Sequence, residues 1–314
     1  MQIDLPLTRH RLIFEPMQAG RWPRYSGSAW RGGFGHALKR VVCVMRLRPC
    51  AGCALEGTCI YPTTFETSPA PGASKMRLYD RVPHPYVLQP GVSRAEHVGP
   101  GEALSVDITL VGRSTSHVAY AVRALEEAAS AGLGPDRLQS RLQDVIPLPT
   151  DRQPWAVDHG TLGSGMLTTG SIPEVPASPR RAVVELSTPL RLQREGRLVG
   201  PGGFTPGDLL VNLIRRLSML CTFFTERPLE ADFRQLTSLA RGMRMPIAEV
   251  GWVDITRKSS RQNAIMQMGG VVGRFDLVTE GAEELWPFLW LGQWVGAGKG
   301  ATMGLGQYRV SIPT

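Results

Sequence analysis

The stretch GAGKGATMGLGQYRV, Gly296 to Val310, sets five glycines around one lysine, Lys299. A lysine between glycines suggests a nucleotide-binding P-loop. That loop follows the pattern GxxxxGK[ST], with the Ser or Thr holding magnesium and a helix N-terminus facing the phosphates. Here Gly300 follows Lys299, and the next residues are a strand pattern rather than a helix, with Tyr308, Val310 and Ile312 in alternation. The nucleotide reading fails. Two remain open: a glycine-rich backbone that comes close to another phosphate-bearing chain, or a flexible loop before a strand.

Working outward, a chain of 314 residues suggests about two domains, and 42% apolar residues suffice for real cores. Lys and Arg outnumber Asp and Glu by 35 to 27, a net charge of +8. That excess favours a polyanionic partner, nucleic acid before an acidic membrane surface. No apolar run is long enough to span a bilayer, and MQIDLPLTRHRLIFEP lacks the apolar core of a secretory signal. A cytoplasmic protein without a membrane role is expected. In a reducing compartment, the cluster Cys43, Cys50, Cys53 and Cys59 argues for metal over disulfides.

The order of patterns repeats. LTRHRLIFEPM reads as a strand. Trp30, Phe34, Leu38, Val41 and Met45 then recur at helical spacing, with Ser28 as candidate cap. ALSVDITLVG is a second strand, and Val118, Val122, Leu125 and Ala129 mark a helix over 116–131 that closes at GLG. Pro, Gly, Ser and Thr crowd residues 147–181, which read as a linker or long loop. RAVVELSTPLRLQREGRLVG then gives strand, turn at Glu195-Gly196, and strand. Thr205-Pro206-Gly207-Asp208 opens a helix whose core stripe is Leu209, Leu213, Leu217 and Leu220. Strands fit 249–256 and 271–278, and the aromatic segment ELWPFLWLGQW precedes the glycine loop. The expected fold class is α+β, a mainly antiparallel sandwich present twice. The division is 1–150, a linker over 151–180, and 181–314.

Several of these segments together resemble a known family. WRGGFGHALKRVVC with CAGCALEGTCIYPTTFE, LSVDITLVGRS, STPLRLQREGRLV, LIRRLSML and GAGKGATMGLGQYRV occur in the order found in the CRISPR repeat-RNA-processing endoribonucleases of the RAMP superfamily, the sixth Cas protein. The resemblance implies two tandem ferredoxin-like (RRM-like) domains with antiparallel sheets, binding of CRISPR repeat RNA, and a single cut in it. It implies no cofactor for catalysis: a 2′-hydroxyl attacks the neighbouring phosphate, leaving a 2′,3′-cyclic phosphate and a 5′-hydroxyl. It implies that the crRNA product passes to other Cas proteins of an effector complex. The alternative within the superfamily is a crRNA-binding subunit without catalysis. Outside it stands an unrelated basic RNA-binding module.

Such a reaction needs a base near the 2′-OH, an acid near the 5′ oxygen and cations around the phosphorane. His36 is the first candidate, because it lies opposite the apolar stripe of its helix and shares a face with Lys39 and Arg40. Gly32 and Gly33, one turn earlier, would admit an RNA backbone. The competing reading of this face is a solvated basic helix. Tyr25 could donate a proton or orient the phosphate, or simply pack. His117, in the first turn of the next helix, is the rival, or else a capping histidine. His84, in VPHPY, reads as structural, and His10, His97 and His159 lack supporting neighbours.

RNA contacts are expected from Arg31 and Arg40, from Arg257, Lys258 and Arg261 in TRKSSRQN (a hairpin or loop), and from Gly298, Lys299 and Gly300. Arg215 and Arg216 read as a solvated helix face. Cys43, Cys50, Cys53 and Cys59 could hold structural zinc or an iron–sulfur cluster, or stay unliganded. Cys221 is expected in the core.

Overall fold

The computed structural model describes residues 2–45, 49–67, 82–91, 96–149, 170–259 and 264–313. Most of the expected linker, 150–169, lies outside the described residues, as do His159 and Arg261.

The N-terminal half runs β1 (Leu7–Pro16), β2 (Gly20–Arg21), α1 (Gly27–Val42), α2 (Ile60–Thr64), β3 (Tyr86–Pro90), β4 (His97–Val98), β5 (Leu104–Val111), α3 (Val118–Ser130) and β6 (Ser140–Leu148). Its sheet has the order β3-β5-β1-β6, antiparallel at every pairing. The C-terminal half runs β7 (Arg181–Leu190), β8 (Gln193–Arg194), β9 (Arg197–Leu198), α4 (Pro206–Phe224), α5 (Phe233–Arg241), β10 (Ala248–Val253), β11 (Thr256–Ser259), β12 (Ala264–Gln267), β13 (Gly270–Val278), α6 (Trp286–Val295) and β14 (Tyr308–Ser311). Its main sheet has the order β10-β13-β7-β14, again antiparallel. In each half the first strand sits between the third and the fourth, so both are the ferredoxin-like βαββαβ unit.

Period-two patterning sets what each sheet buries. Leu12 and Phe14 on β1, and Val106, Ile108 and Leu110 on β5, pack beneath Trp30, Phe34 and Leu38 of α1 and Leu125 of α3. In the second half, Val184, Leu186, Phe275 and Val310 meet Leu213 and Leu217 of α4 and Phe288 and Trp294 of α6. Leu5, Leu7 and Val111 belong to this second core, so the halves share apolar surface. At Gly112 (φ 60°) a Cβ would lie 2.0 Å from the carbonyl oxygen of Phe224, and this close approach requires glycine.

Local chemistry fixes the ends. Thr205 and Asp208 form a capping box at α4: the Thr205 N–H donates to Asp208 Oδ2 at 2.9 Å. Glu195 (φ 51°) and Gly196 (φ 80°) make the two-residue turn between β8 and β9.

Four expectations needed correction. Ser28 does not cap α1; the helix already begins at Gly27, with Ser26 at the N-cap position, and Gly27 itself backs onto the Met303 carbonyl, where a Cβ would lie 1.9 Å away. The aromatic segment is itself a helix, α6, buried almost all round, so no amphipathic period could announce it. Helix α5 and strand β6, neither expected, are short or carry a mostly half-buried face. Arg216 is not on a solvated face: it is largely buried and its Nε–H donates to the Val295 carbonyl at the end of α6, at 3.1 Å.

Candidate RNA-binding and cleavage site

Helix α1 presents two faces. Trp30, Phe34, Ala37 and Leu38 are buried, while Gly32, His36 and Arg40 are exposed. His36 opens onto a cleft of about 740 Å³, lined also by Lys39 and Arg40, by the end of α3, and by Leu133 and Arg137 of the turn before β6. Two glycines let these elements meet. A Cβ on Gly33 would lie 2.5 Å from Leu133 Cδ2, and one on Gly35 would lie 2.2 Å from the Phe65 ring. Gly33 therefore serves helix packing, whereas Gly32, with nothing within 4 Å of a Cβ, leaves open space.

The cations around His36 differ in their commitments. Arg40 is exposed. Lys39 turns its ammonium over the Tyr61 ring, 5.2 Å from the centroid, beside Cys50 and Glu66. Arg31 points inward: its guanidinium lies 4.9 Å over the Phe65 ring and reaches His84 Nε2 at 3.5 Å. His84 is held between Thr67, Phe65 and Tyr86, in keeping with a structural role.

Tyr25 sits elsewhere, at the start of α1, where its hydroxyl donates to the Met303 carbonyl at 2.5 Å. His117 ends the 3-10 turn Gly112–His117, which packs against α4. Burial lowers its pKa, and it does not line the His36 cleft among the described residues.

The glycine loop lies at the end of the second sheet. Gly296, Gly298, Gly300, Gly304 and Gly306 all have φ between 64° and 85°. The Gly298 N–H donates to Asn212 Oδ1 at 2.8 Å, and the Lys299 N–H to the Arg191 carbonyl at 2.9 Å; the Lys299 side chain is exposed. The Arg191 guanidinium continues the connection by donating to the Gly269 carbonyl at 2.7 Å. A Cβ on Gly269 would in turn strike the Trp252 indole, whose N–H donates to Asp254 at 2.9 Å. From there β11 and β12 pair as an antiparallel ribbon, with Arg257 and Lys258 in β11. The expected hairpin over TRKSSRQN is described only through Ser259, where β11 pairs with β12 beyond it; residues 260–263 lie outside the described residues. The α1 N-terminus meets the same loop at Met303, and His36 lies nine positions beyond Gly27, about 14 Å along the helix axis.

Structural zinc at the cysteine cluster is not supported among the described residues. Cys43, Cys50, Cys53 and Cys59 surround one small cavity, about 30 Å³, yet among the described residues no three His, Cys, Asp or Glu groups are arranged to hold a metal. Burial, with Glu66 nearby, raises the Cys50 thiol pKa. Cys221 is buried in the second core, as expected.

Sequence reading missed Arg137 and Arg191. Arg191 directly follows a strand and carries no motif. Arg137 follows the turn signal Gly-Pro-Asp, but nothing local shows that the turn faces His36.

Residues 184–308 match the family model described as CRISPR-associated endoribonuclease Cas6, and residues 5–161 match the N-terminal domain model AF_1859_N. Among solved structures, the chain is similar to the Cas6 (TTHB231) product complex from Thermus thermophilus, at 17% identity over 98% of this chain and 100% of that one, with a TM-score of 0.59. It is similar to the Cas6 (TTHA0078) product complex at 18% identity, 98% and 100% coverage and a TM-score of 0.55. It also matches 46% of a chain in a partial Cas6-RT-Cas1–Cas2 complex, at 14% identity over 98% of this chain, with a TM-score of 0.56. No curated protein sequence matches the chain. Tandem ferredoxin-like units closed by a glycine-rich loop are the fold this chain shares with these Cas6 structures. Within the chain, residues 184–308 carry a CRISPR-associated Cas6 domain.

Proposed function

We propose that the chain is a CRISPR repeat endoribonuclease of two domains, residues 1–150 and 181–314 joined through 151–180. It binds repeat RNA along the glycine loop and the β11–β12 ribbon and cuts it in the His36 cleft. The observation that carries this reading is an exposed histidine on a helix face, opening onto a cleft with Lys39 and Arg40. Histidine can exchange a proton near neutral pH, and the cations suit a phosphate whose charge grows as it is attacked. RNA product complexes of similar fold support the substrate class, and the complex holding Cas1 and Cas2 supports other Cas proteins as partners.

In the proposed step the 2′-oxygen attacks phosphorus, its proton passes to a base, and the P–O5′ bond breaks as the 5′ oxygen gains a proton. His36 exchanges one of these protons. Lys39, Arg40 and Lys299 contribute positive charge, Gly298 and Gly300 admit the backbone, and Arg257, Lys258 and Arg261 hold the flanking RNA. Tyr25 acts as a strut between α1 and the glycine loop. No metal takes part in the proposed step.

Incubating the purified protein with repeat RNA in EDTA tests this. Cleavage to a 2′,3′-cyclic phosphate and a 5′-hydroxyl is expected, and His36→Ala should slow it by about 10²–10⁴-fold without weakening binding. Tight binding with no cut would instead identify a non-catalytic crRNA-binding subunit.

A further inference from the structure

Only two non-glycine residues among those described have positive φ: Glu195 at 51° and Arg137 at 52°. Glu195 has a simple explanation, since it leads a two-residue turn in the β8–β9 hairpin, which demands that conformation. Arg137 has a different setting. It is the last residue of a turn closed by the pair Leu133–Leu138, whose N–H groups donate to each other's carbonyls at 3.0 and 2.8 Å. The turn is fastened from outside, with Asp136 accepting from the Arg21 backbone N–H at 2.9 Å and from its guanidinium. It is also pressed from within: a Cβ on Gly132 would lie 2.3 Å from the Arg137 carbonyl oxygen. Glycine would suit position 137 better, yet an arginine stands there, exposed and lining the His36 cleft. Its side chain's described bond is a long one, Nη2–H to the Ala131 carbonyl at 3.4 Å. Backbone strain held at a cleft by an over-determined turn marks a side chain kept for function.

We propose that Arg137 is the cation that grips the phosphate at the cut, across the cleft from His36. The proposal rests on the reading of that cleft as the cutting site and adds a residue to it. The guanidinium presents paired N–H donors that match two non-bridging phosphate oxygens, a geometry that Lys39, turned over Tyr61, does not offer. It stays protonated throughout and forms no covalent bond. Its effect is greatest on the phosphorane, where the negative charge is largest.

Arg137→Gly separates this role from a structural one, because glycine relieves the backbone while removing the guanidinium. The expected result is a Tm equal to wild type or a few degrees higher. Single-turnover cleavage of repeat RNA should be slowed by about 10²-fold or more. Affinity for a repeat with a 2′-deoxy sugar at the cut should change by only a few-fold. Arg137→Lys should recover part of the rate. Glu195→Gly, in the other positive-φ turn, should share the Tm behaviour and cleave normally. Wild-type cleavage by Arg137→Gly overturns the proposal. So does a lowered Tm with a proportionate loss of binding, which would mark Arg137 as a cap on α3. His36→Ala in parallel keeps the two readings apart: a dead His36 variant beside an active Arg137 variant sinks only this inference, and the reverse sinks only the assignment of His36. A wild-type protein that binds the repeat without cutting it overturns both.

Discussion

The glycine loop and the His36 cleft are opposites in construction. The loop is conspicuous in sequence and closed in structure. The Ala297 N–H donates to the Gly306 carbonyl at 2.9 Å, the Gly306 N–H to the Pro189 carbonyl at 3.0 Å, and the Lys299 N–H to Arg191. Its glycines are used for left-handed backbone and for close approach to neighbouring carbonyls. The cleft draws only part of itself from one segment, and it gathers exposed charged side chains from α1 and from a turn about a hundred residues later. One region is a backbone device and the other a side-chain device, so substitutions should separate them.

The largest expected effect is on chemistry alone. His36→Ala should remove about 10²–10⁴-fold of single-turnover rate while leaving the Tm within about 1 °C of wild type, since the imidazole is exposed and buries no neighbour. A large Tm loss would mean that the cleft, like the loop, is a structural assembly. The loop should behave in the opposite way. At Gly306, with φ 64°, a Cβ would lie 1.9 Å from the Ala297 carbonyl oxygen. Gly306→Ala should therefore cost about 3 kcal/mol or more in urea unfolding, with binding and cleavage lost in proportion to the unfolded fraction. A stable, normally folded Gly306→Ala protein would show that the loop adjusts freely and that its glycines serve RNA alone.

A buried histidine sharpens the contrast with His36. His10 lies fully buried in β1, and burial holds its pKa down at about 4. The folded state therefore keeps it neutral, while the unfolded chain protonates it near pH 6.5. Between those values the unfolded state binds more protons, so stability is complete above about pH 6.5 and falls as the pH drops towards 4. The loss from this residue is on the order of 3 kcal/mol. Urea midpoints at pH 7, 5.5 and 4.5 measure it, and His10→Gln should flatten the slope. An unchanged slope in that variant would assign the acid sensitivity to other groups.

Legibility followed the same division. Periodicity found α1, α3 and β7, because each buries one face and exposes the other, and α4 by its leucine stripe; β1 and β5, buried on both faces, read as strands from their apolar β-branched content. Thr205-Pro206-Gly207-Asp208 announced its helix end, because capping chemistry lies within four consecutive residues. Periodicity could not find α6, whose positions Trp286 to Val295 are buried on nearly every side. Of the cleft, His36 and Arg40 were legible as the polar face of one helix. The cysteine spacing was legible as a cluster, and all four thiols line one small cavity. Arg137 was invisible, because its partners are set by how the turn before β6 meets α1, a tertiary fact. Arg31 was legible as a cation but not as an inward one, since its partner Phe65 lies beyond a separate helix.

The smallest effect tests whether the loop has any side-chain role. Lys299 is exposed, and its backbone N–H is already committed to Arg191, so its ammonium is not needed for the fold. Lys299→Ala should leave the urea midpoint unchanged. If the ammonium neutralises one RNA phosphate, affinity for repeat RNA should fall by several-fold at low salt. The slope of log K against log salt should become shallower by roughly one unit or slightly less. Lys299→Arg should restore both, because either cation neutralises a phosphate at a site where no bidentate geometry is imposed. Equal affinities and equal salt slopes for wild type and Lys299→Ala would mean that the RNA never meets this lysine. The loop would then contribute backbone shape alone, and the affinity would have to come from the ribbon carrying Arg257 and Lys258.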